Sequence, residues 1–206
     1  MEEQTFEKAL EELRKDKKRK FLQTVDLIIN LQEFDVRKES FNTFIKIPHP
    51  IDKKICAFLT KKSSIVDTIT KEGFDKYKEK KEIKNLTKKY DFFIAIAPLM
   101  PQIATKFGRI FGPVGKMPSP QAGILTKEDD KTIKENVEKM KSMIRIRVKE
   151  RSIKVIIGRE DLQNKDLKEN AEAIINAIEK NLPRGKQNIK NVLIKFTMTK
   201  PIKVKY

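Results

Sequence analysis

Phe6, Ala9, Leu10 and Leu13 recur at the three- and four-residue spacing of one helical face, which predicts a short amphipathic helix near the N-terminal end. From residue 24 the period changes to two. Val25, Leu27, Ile29 and Leu31 alternate with Thr24, Asp26, Ile28 and Asn30, as expected of a strand with one face on a core and the other largely free. Residues 44–47 and 54–59 flank Pro48-His-Pro-Ile-Asp52, a pattern that predicts strand, turn, strand.

Beyond about residue 60 the style shifts to alternating helix and strand. Helical spacing near residues 64–71 and 80–89 precedes Phe92-Phe-Ile-Ala-Ile-Ala97, a continuous apolar run suited to a parallel strand covered on both faces. Thr126-Lys-Glu-Asp129 has the form of a capping box opening a helix to about Ser142. Alternation returns at Ile144, Ile146 and Val148 and again at Ile153, Val155 and Ile157, with residues 149–152 between them as a turn or a domain crossing. Asp166-Leu-Lys-Glu169 reads as the cap of a helix whose Leu167, Ala171, Ile174, Ile175, Ile178 and Leu182 form one stripe. A last strand alternates Val192, Ile194, Phe196 and Met198, which puts Met198 in phase with the core and Thr197 on the opposite side. The expected fold is α+β in two domains. Residues 1–60 and 150–206 would form a discontinuous α+β domain, split by a three-layer α/β domain inserted at residues 61–149.

Charge narrows the function. The 206 residues carry 46 Lys and Arg against 29 Asp and Glu, a formal net charge of +17 that exceeds what solubility needs and points to a polyanionic partner. Nucleic acid is favoured over a membrane, because no apolar run approaches the roughly 20 residues that span a bilayer. Met1-Glu-Glu-Gln4 is acidic and polar, unlike a secretory signal, so a cytoplasmic location is expected. Lys17-Lys-Arg-Lys20 reads as a solvated flank adding nonspecific attraction. The single cysteine, Cys56, has no thiol or imidazole neighbour at metal spacing and reads as a small buried apolar residue.

The densest concentration of glycine and proline is Gly108-Arg-Ile-Phe-Gly-Pro-Val-Gly-Lys-Met-Pro-Ser-Pro120, which predicts a stiff exposed turn carrying the positive charges of Arg109 and Lys116. Gly112-Pro-Val-Gly-Lys116 superficially resembles a phosphate cradle, yet Lys116 is followed by Met117 where a P-loop needs Ser or Thr to reach magnesium. His49 has no Cys, Asp or Glu at ligand spacing and reads as a turn residue. With that one histidine no catalytic constellation assembles, so neither an enzyme nor a metal or cofactor site is expected. The competing class is an α/β enzyme binding a phosphometabolite or nucleotide, whose basic surface would be incidental.

Four motifs resemble the L-one family of large-subunit ribosomal proteins: Lys20-Phe-Leu-Gln-Thr-Val-Asp-Leu27, Ile47-Pro-His-Pro50, the stretch from Gly108 to Pro120, and Phe196-Thr-Met-Thr-Lys-Pro201. The resemblance covers nearly the whole chain. It implies two domains joined by two crossings, binding to large-subunit rRNA at the mobile exit-site stalk, help in releasing deacylated tRNA, and repression of the protein's own mRNA. It also implies RNA contacts at Phe21, Thr24, Asp26, Thr197, Met198 and Thr199, with further loop contacts at Arg109, Gly112, Gly115 and Lys116. Asp26 stands where many members have Glu, and Thr199 where the family signature has glycine. Gly115-Lys-Met-Pro118 resembles archaeal members, whereas Arg19-Lys-Phe-Leu22 and Lys200-Pro201 resemble eukaryotic ones. The chemistry suits such contacts: threonine hydroxyls donate and accept, a carboxylate accepts from a 2′-hydroxyl, and Phe21 and Met198 offer apolar surface to sugar or base.

Overall fold

The structure, a computed structural model, describes residues 4–16, 19–39, 41–77, 79–120 and 123–206. The start of the basic run at Lys17 and the first three residues lie outside them. In chain order the elements begin with α1 (Phe6–Lys15), β1 (Thr24–Leu31), α2 (Val36–Glu39) and β2 (Asn42–Lys46). The middle of the chain forms β3 (Ile55–Phe58), β4 (Asp67–Ile69), α3 (Lys80–Lys89), β5 (Phe92–Ile96), α4 (Met100–Val114), β6 (Ile124–Leu125) and α5 (Asp130–Lys141). It ends with β7 (Met143–Arg147), β8 (Ser152–Arg159), α6 (Asn164–Asn181), β9 (Ile189–Phe196) and β10 (Ile202–Val204). Single 3-10 segments occupy Lys71–Lys76, Ala97–Leu99 and Gly185–Asn188.

These elements divide into two compact units, one made of Met1–Ile51 with Ser142–Tyr206 and the other of Asp52–Lys141. The crossings therefore fall at 51/52 and 141/142, earlier than the expected 60/61 and 149/150. The reason is β3, which pairs in parallel with β4 and β5 and so belongs to the inserted unit. Its expected partner across residues 48–52, β2, pairs instead with β7. The segment between β2 and β3 is thus a crossing, not a hairpin turn, and residues 149–152 simply join β7 to β8.

The terminal unit is built on an antiparallel sheet of order β10-β9-β1-β8. The inward phase of β1 buries Val25, Leu27, Ile29 and Leu31 against a core shared with Phe6, Ala9, Leu10 and Leu13 of α1 and the stripe Leu167, Ala171, Ile174, Ile175 and Ile178 of α6. Each such Leu or Ile contributes roughly 1.5–3 kcal/mol when fully buried, and this is why the alternation is so legible in the sequence. α6 sits tightly on β8: a Cβ at Gly158 would lie 2.4 Å from Leu167 Cδ2 and 2.7 Å from Leu162 Cδ1, so a larger residue there would have to push those leucine methyls aside. A bulge in the pairing of β1 with β8 lets Ile157 and Gly158 both turn inward. α6 starts at Asn164, so Asp166 is already inside its first turn and does not cap it.

The inserted unit holds a parallel sheet of order β4-β3-β5-β6. Phe58 and Phe93 meet Phe107 and Phe111 of α4 and Phe74, while Ala57 and Ile94, on the other phase of the same strands, are also fully buried. Two local expectations fail here. Residues 64–71 form no helix; β4 runs alongside β3 and buries Ile69, so pairing overrides helical spacing. α5 begins at Asp130, past Thr126, and the intervening Glu128 accepts hydrogen bonds from the Lys61 backbone N–H at 2.9 Å and from the Thr60 hydroxyl. Lys53, pushed down to about 8 by burial, donates from Nζ to the Lys141 carbonyl at 3.2 Å and so ties the beginning of this unit to its end.

Candidate nucleic-acid interface

β1 begins at Thr24 beside the end of β9, and the two strands are stitched together there. The Thr24 and Thr197 hydroxyls lie 2.9 Å apart, Thr24 N–H donates to Thr197 Oγ1 at 3.1 Å, and Thr197 N–H donates to Thr24 O at 3.1 Å. β9 stops at Phe196 and the chain turns: Thr199 N–H donates to Phe196 O at 3.1 Å while Thr199 Oγ1 accepts from Phe196 N–H at 2.9 Å. This turn corrects the expected phase of Met198. Its side chain leaves the sheet and is 56% exposed, and Phe21, just before β1, is 52% exposed. Leu22, next to Phe21, is 49% exposed as well, so this short segment and the turn together leave three large apolar side chains open. The corner therefore presents these apolar groups and paired hydroxyls beside the half-buried Asp26.

Asp26 faces outward on β1, opposite Lys195 of β9. Burial pushes its carboxyl above the usual carboxylate range, against the lowering effects of the Lys195 charge and a hydrogen bond with Thr24. Its desolvation therefore sets this charge on a partly covered sheet face at an energetic cost. The same outward face carries Ile28 between Lys154 of β8 and Leu193 of β9. A basic, rigid sheet surface of this kind loses little ordering entropy when a structured RNA docks.

The remaining candidates, Arg109, Gly112, Gly115 and Lys116, belong to the inserted unit, and their predicted turn is mostly helix. α4 continues to Val114 through Gly108, Gly112 and Pro113, because burying Ile103, Phe107 and Phe111 outweighs a cost of about 1 kcal/mol per helical glycine. Gly115, at φ 78°, closes the helix: its N–H reaches Gly112 O at 3.0 Å and Lys116 N–H reaches Phe111 O at 3.0 Å. Lys116 then turns its ammonium onto the C-terminal end of α3, donating to Thr87 O at 2.8 Å and Tyr90 O at 2.7 Å. That cation complements the helix dipole and is engaged in the fold. Arg109 and Gly112 are exposed, and a Cβ at Gly112 would meet nothing within 4 Å.

Comparison with known proteins gives the family. Residues 13–200 match the profile of the Ribosomal protein L1p/L10e family. The chain belongs to that family. It is 36% identical over 200 residues to the large ribosomal subunit protein uL1 of Thermococcus kodakarensis, covering 91% of this chain and 90% of that one. The protein of the same name from Nanoarchaeum equitans is 35% identical over 207 residues, with 93% and 95% covered. That from Archaeoglobus fulgidus is 33% identical over 211 residues, with 96% and 95% covered. The family is one of ribosomal proteins, not of enzymes.

At Thr199, where the resemblance leads one to expect glycine, the structure shows how threonine is accommodated. Thr199 keeps a negative φ and spends its hydroxyl inside the turn. His49, at the family's Pro-His turn, is a fastening point: its N–H donates to Asn170 Oδ1 at 2.9 Å, its carbonyl accepts from Asn170 Nδ2 at 3.0 Å, and its ring Nε2 lies 2.7 Å from Glu169 Oε2. Asp166 Oδ1 lies 3.7 Å from the same ring nitrogen, so Asp166 and Glu169, read from the sequence as caps, both face His49. One residue of the corner escaped the sequence analysis altogether. Gln23 is 3% exposed and accepts the Met198 N–H at Oε1, 3.2 Å away. The available signal was an amide in the inward phase of a strand, where Val25 and Leu27 follow it.

Proposed function

We propose that this protein is a constituent of the large ribosomal subunit in the cytoplasm, and that it binds large-subunit rRNA through the corner formed by Phe21, Thr24, Asp26, Thr197, Met198 and Thr199. The observation carrying this is the outward presentation of Phe21 and Met198 around the Thr24–Thr197 hydroxyl pair. Folded RNA is recognised by such combinations of sugar, 2′-hydroxyl and apolar contacts, with lysines supplying the phosphate attraction. As in the family it resembles, the bound protein sits at the mobile exit-site stalk, assists release of deacylated tRNA, and represses translation of its own mRNA where that mRNA mimics the rRNA site. Arg109 and Gly112 of the inserted unit are the further contacts whose exposure suits this role.

Crosslinking the protein to total RNA and identifying the bound segment tests the partner directly; recovery of large-subunit rRNA is expected, and random recovery would refute the reading. Titration adds a second measure. If about six phosphates are neutralised, log affinity falls with log salt at a slope near −5, at roughly −0.9 per phosphate. A salt-independent affinity would separate the basic surface from the binding surface.

A further inference from the structure

We infer that Gln23 is a positioning residue of the RNA-binding corner, holding the Met198 backbone so that the Met198 side chain stays presented to RNA. The inference rests on the proposed RNA-binding reading of that corner. Gln23 is buried and cannot itself meet a ligand, yet its amide joins two separate segments. Oε1 accepts the Met198 N–H at 3.2 Å, and Nε2 points to Glu160 Oε2 at 3.5 Å. Its own carbonyl accepts the Glu160 N–H at 2.9 Å. The Glu160 carboxylate orients the amide, since only the NH2 side can face it, and that leaves the oxygen for Met198.

The segment carrying Glu160 is fixed in turn by Arg14 of α1, whose guanidinium donates to Glu160 O at 2.8 Å, Leu162 O at 2.6 Å and Asn164 Oδ1 at 2.8 Å. Three donors in one planar group fix that loop in position and direction. The chain of contacts runs from α1 through residues 160–164 and Gln23 to the corner. An exposed methionine gains by folding back over apolar surface, and a backbone anchor opposes this before RNA arrives, which lowers the ordering cost of binding.

The test compares Gln23→Ala, Met198→Ala, their double variant, and the exchange Gln23→Glu with Glu160→Gln in the full-length protein, using large-subunit rRNA from Thermococcus kodakarensis as probe. Gln23→Ala is expected to weaken RNA binding about three- to tenfold, the worth of one hydrogen bond. Amide exchange at Met198 should quicken while Leu27 and Ile194 stay protected. In the Met198→Ala background the effect of Gln23→Ala on affinity should shrink, although its effect on stability persists. Gln23→Glu alone places two carboxylates together and should bind worse, whereas the exchanged pair restores an acceptor facing Met198 and recovers most of the affinity. If Met198→Ala weakens binding but Gln23→Ala does not, or if the Gln23→Ala loss is undiminished in the Met198→Ala background, the positioning role is overturned. If neither Met198→Ala nor Thr197→Val changes affinity, the corner itself is not the RNA site and the inference falls with it.

Discussion

The two units of this chain build their cores from different side chains and on different kinds of sheet. In the terminal unit the core is mostly Ile, Leu and Val under an antiparallel sheet whose strands β1, β8 and β9 each span eight residues. In the inserted unit it is a cluster of aromatic rings, with centroids 4.5–6.1 Å apart, on parallel strands of two to five residues. A long antiparallel strand has a covered face and an open one, so it can hold a core and present Thr24 and Asp26 at once. A parallel strand covered on both sides has no face left over. Its unit can offer function only from helices and loops, which is where Arg109 and Gly112 lie.

If each core is independent, the largest expected effect is a truncation that damages one unit and spares the other. Phe107 is fully buried among Phe58, Phe74 and Phe111, so Phe107→Ala should destabilise the inserted unit by about 3–5 kcal/mol. Calorimetry should resolve an early transition for that unit, with rRNA affinity retained below it. A single merged transition, or affinity lost together with the inserted unit, would break the comparison.

Smaller effects are expected at the corner, and they should fall on binding instead of stability. Thr197→Val deletes a hydroxyl while keeping the branched shape, and affinity should drop by about 1 kcal/mol or more as an RNA group loses its partner. Met198→Ala should weaken RNA binding while shifting stability by no more than about 0.5 kcal/mol, because the side chain is exposed. A loss of several kcal/mol in the stability of free Met198→Ala protein would return Met198 to the core. In the inserted unit Gly108→Ala should stabilise the free protein by about 0.5–1 kcal/mol, since a helical glycine there has open space around its Cα and no proline directly after it. Weaker rRNA binding by the same variant would show that the α4 surface approaches RNA closely.

For titration the sign distinguishes the units. The folded pKa of Asp26 lies above its ordinary value, so its charge costs stability at neutral pH and the cost is relieved as pH falls through the folded pKa. Asp26→Asn should therefore raise the melting temperature of the terminal unit at neutral pH, with the gain fading in acid, while RNA affinity falls. Lys53 is shifted the other way, down to about 8 from 10.5. Between those values the unfolded chain binds more protons, so Lys53 makes the inserted unit gain stability as pH rises. Lys53→Met should remove that contribution. Melting curves of Asp26→Asn from pH 7 down into acid, and of Lys53→Met from pH 7 up to 10.5, check the two signs.

Periodicity was a sound guide wherever one face of an element met solvent. The α1 stripe, the alternation of β1 and the α6 stripe all reappear as buried residues because a half-covered element needs apolar side chains at a fixed spacing and tolerates polar ones between. It misled where length or environment removed that contrast. β4 is three residues long and lies in a stretch with helical spacing, and the glycine-rich stretch after Phe107 reads as a turn although aromatic burial carries the helix through it. The motifs at residues 20–27 and 196–201 were legible as separate stretches, each with its own chemistry.

Residue type and spacing were enough to determine the α+β class, the polyanion-seeking charge, the amphipathic faces and the family to which the chain belongs, since all of these are local or additive properties of the sequence. The tertiary structure alone decided that residues 48–52 cross between units, that Lys116 caps α3 and that Gln23 reaches Met198. It also set Thr24 against Thr197, 173 positions apart in the chain. Such outcomes depend on which strands pair and in what register, and pairing is settled by the burial of the whole core, not by any segment that contributes to it.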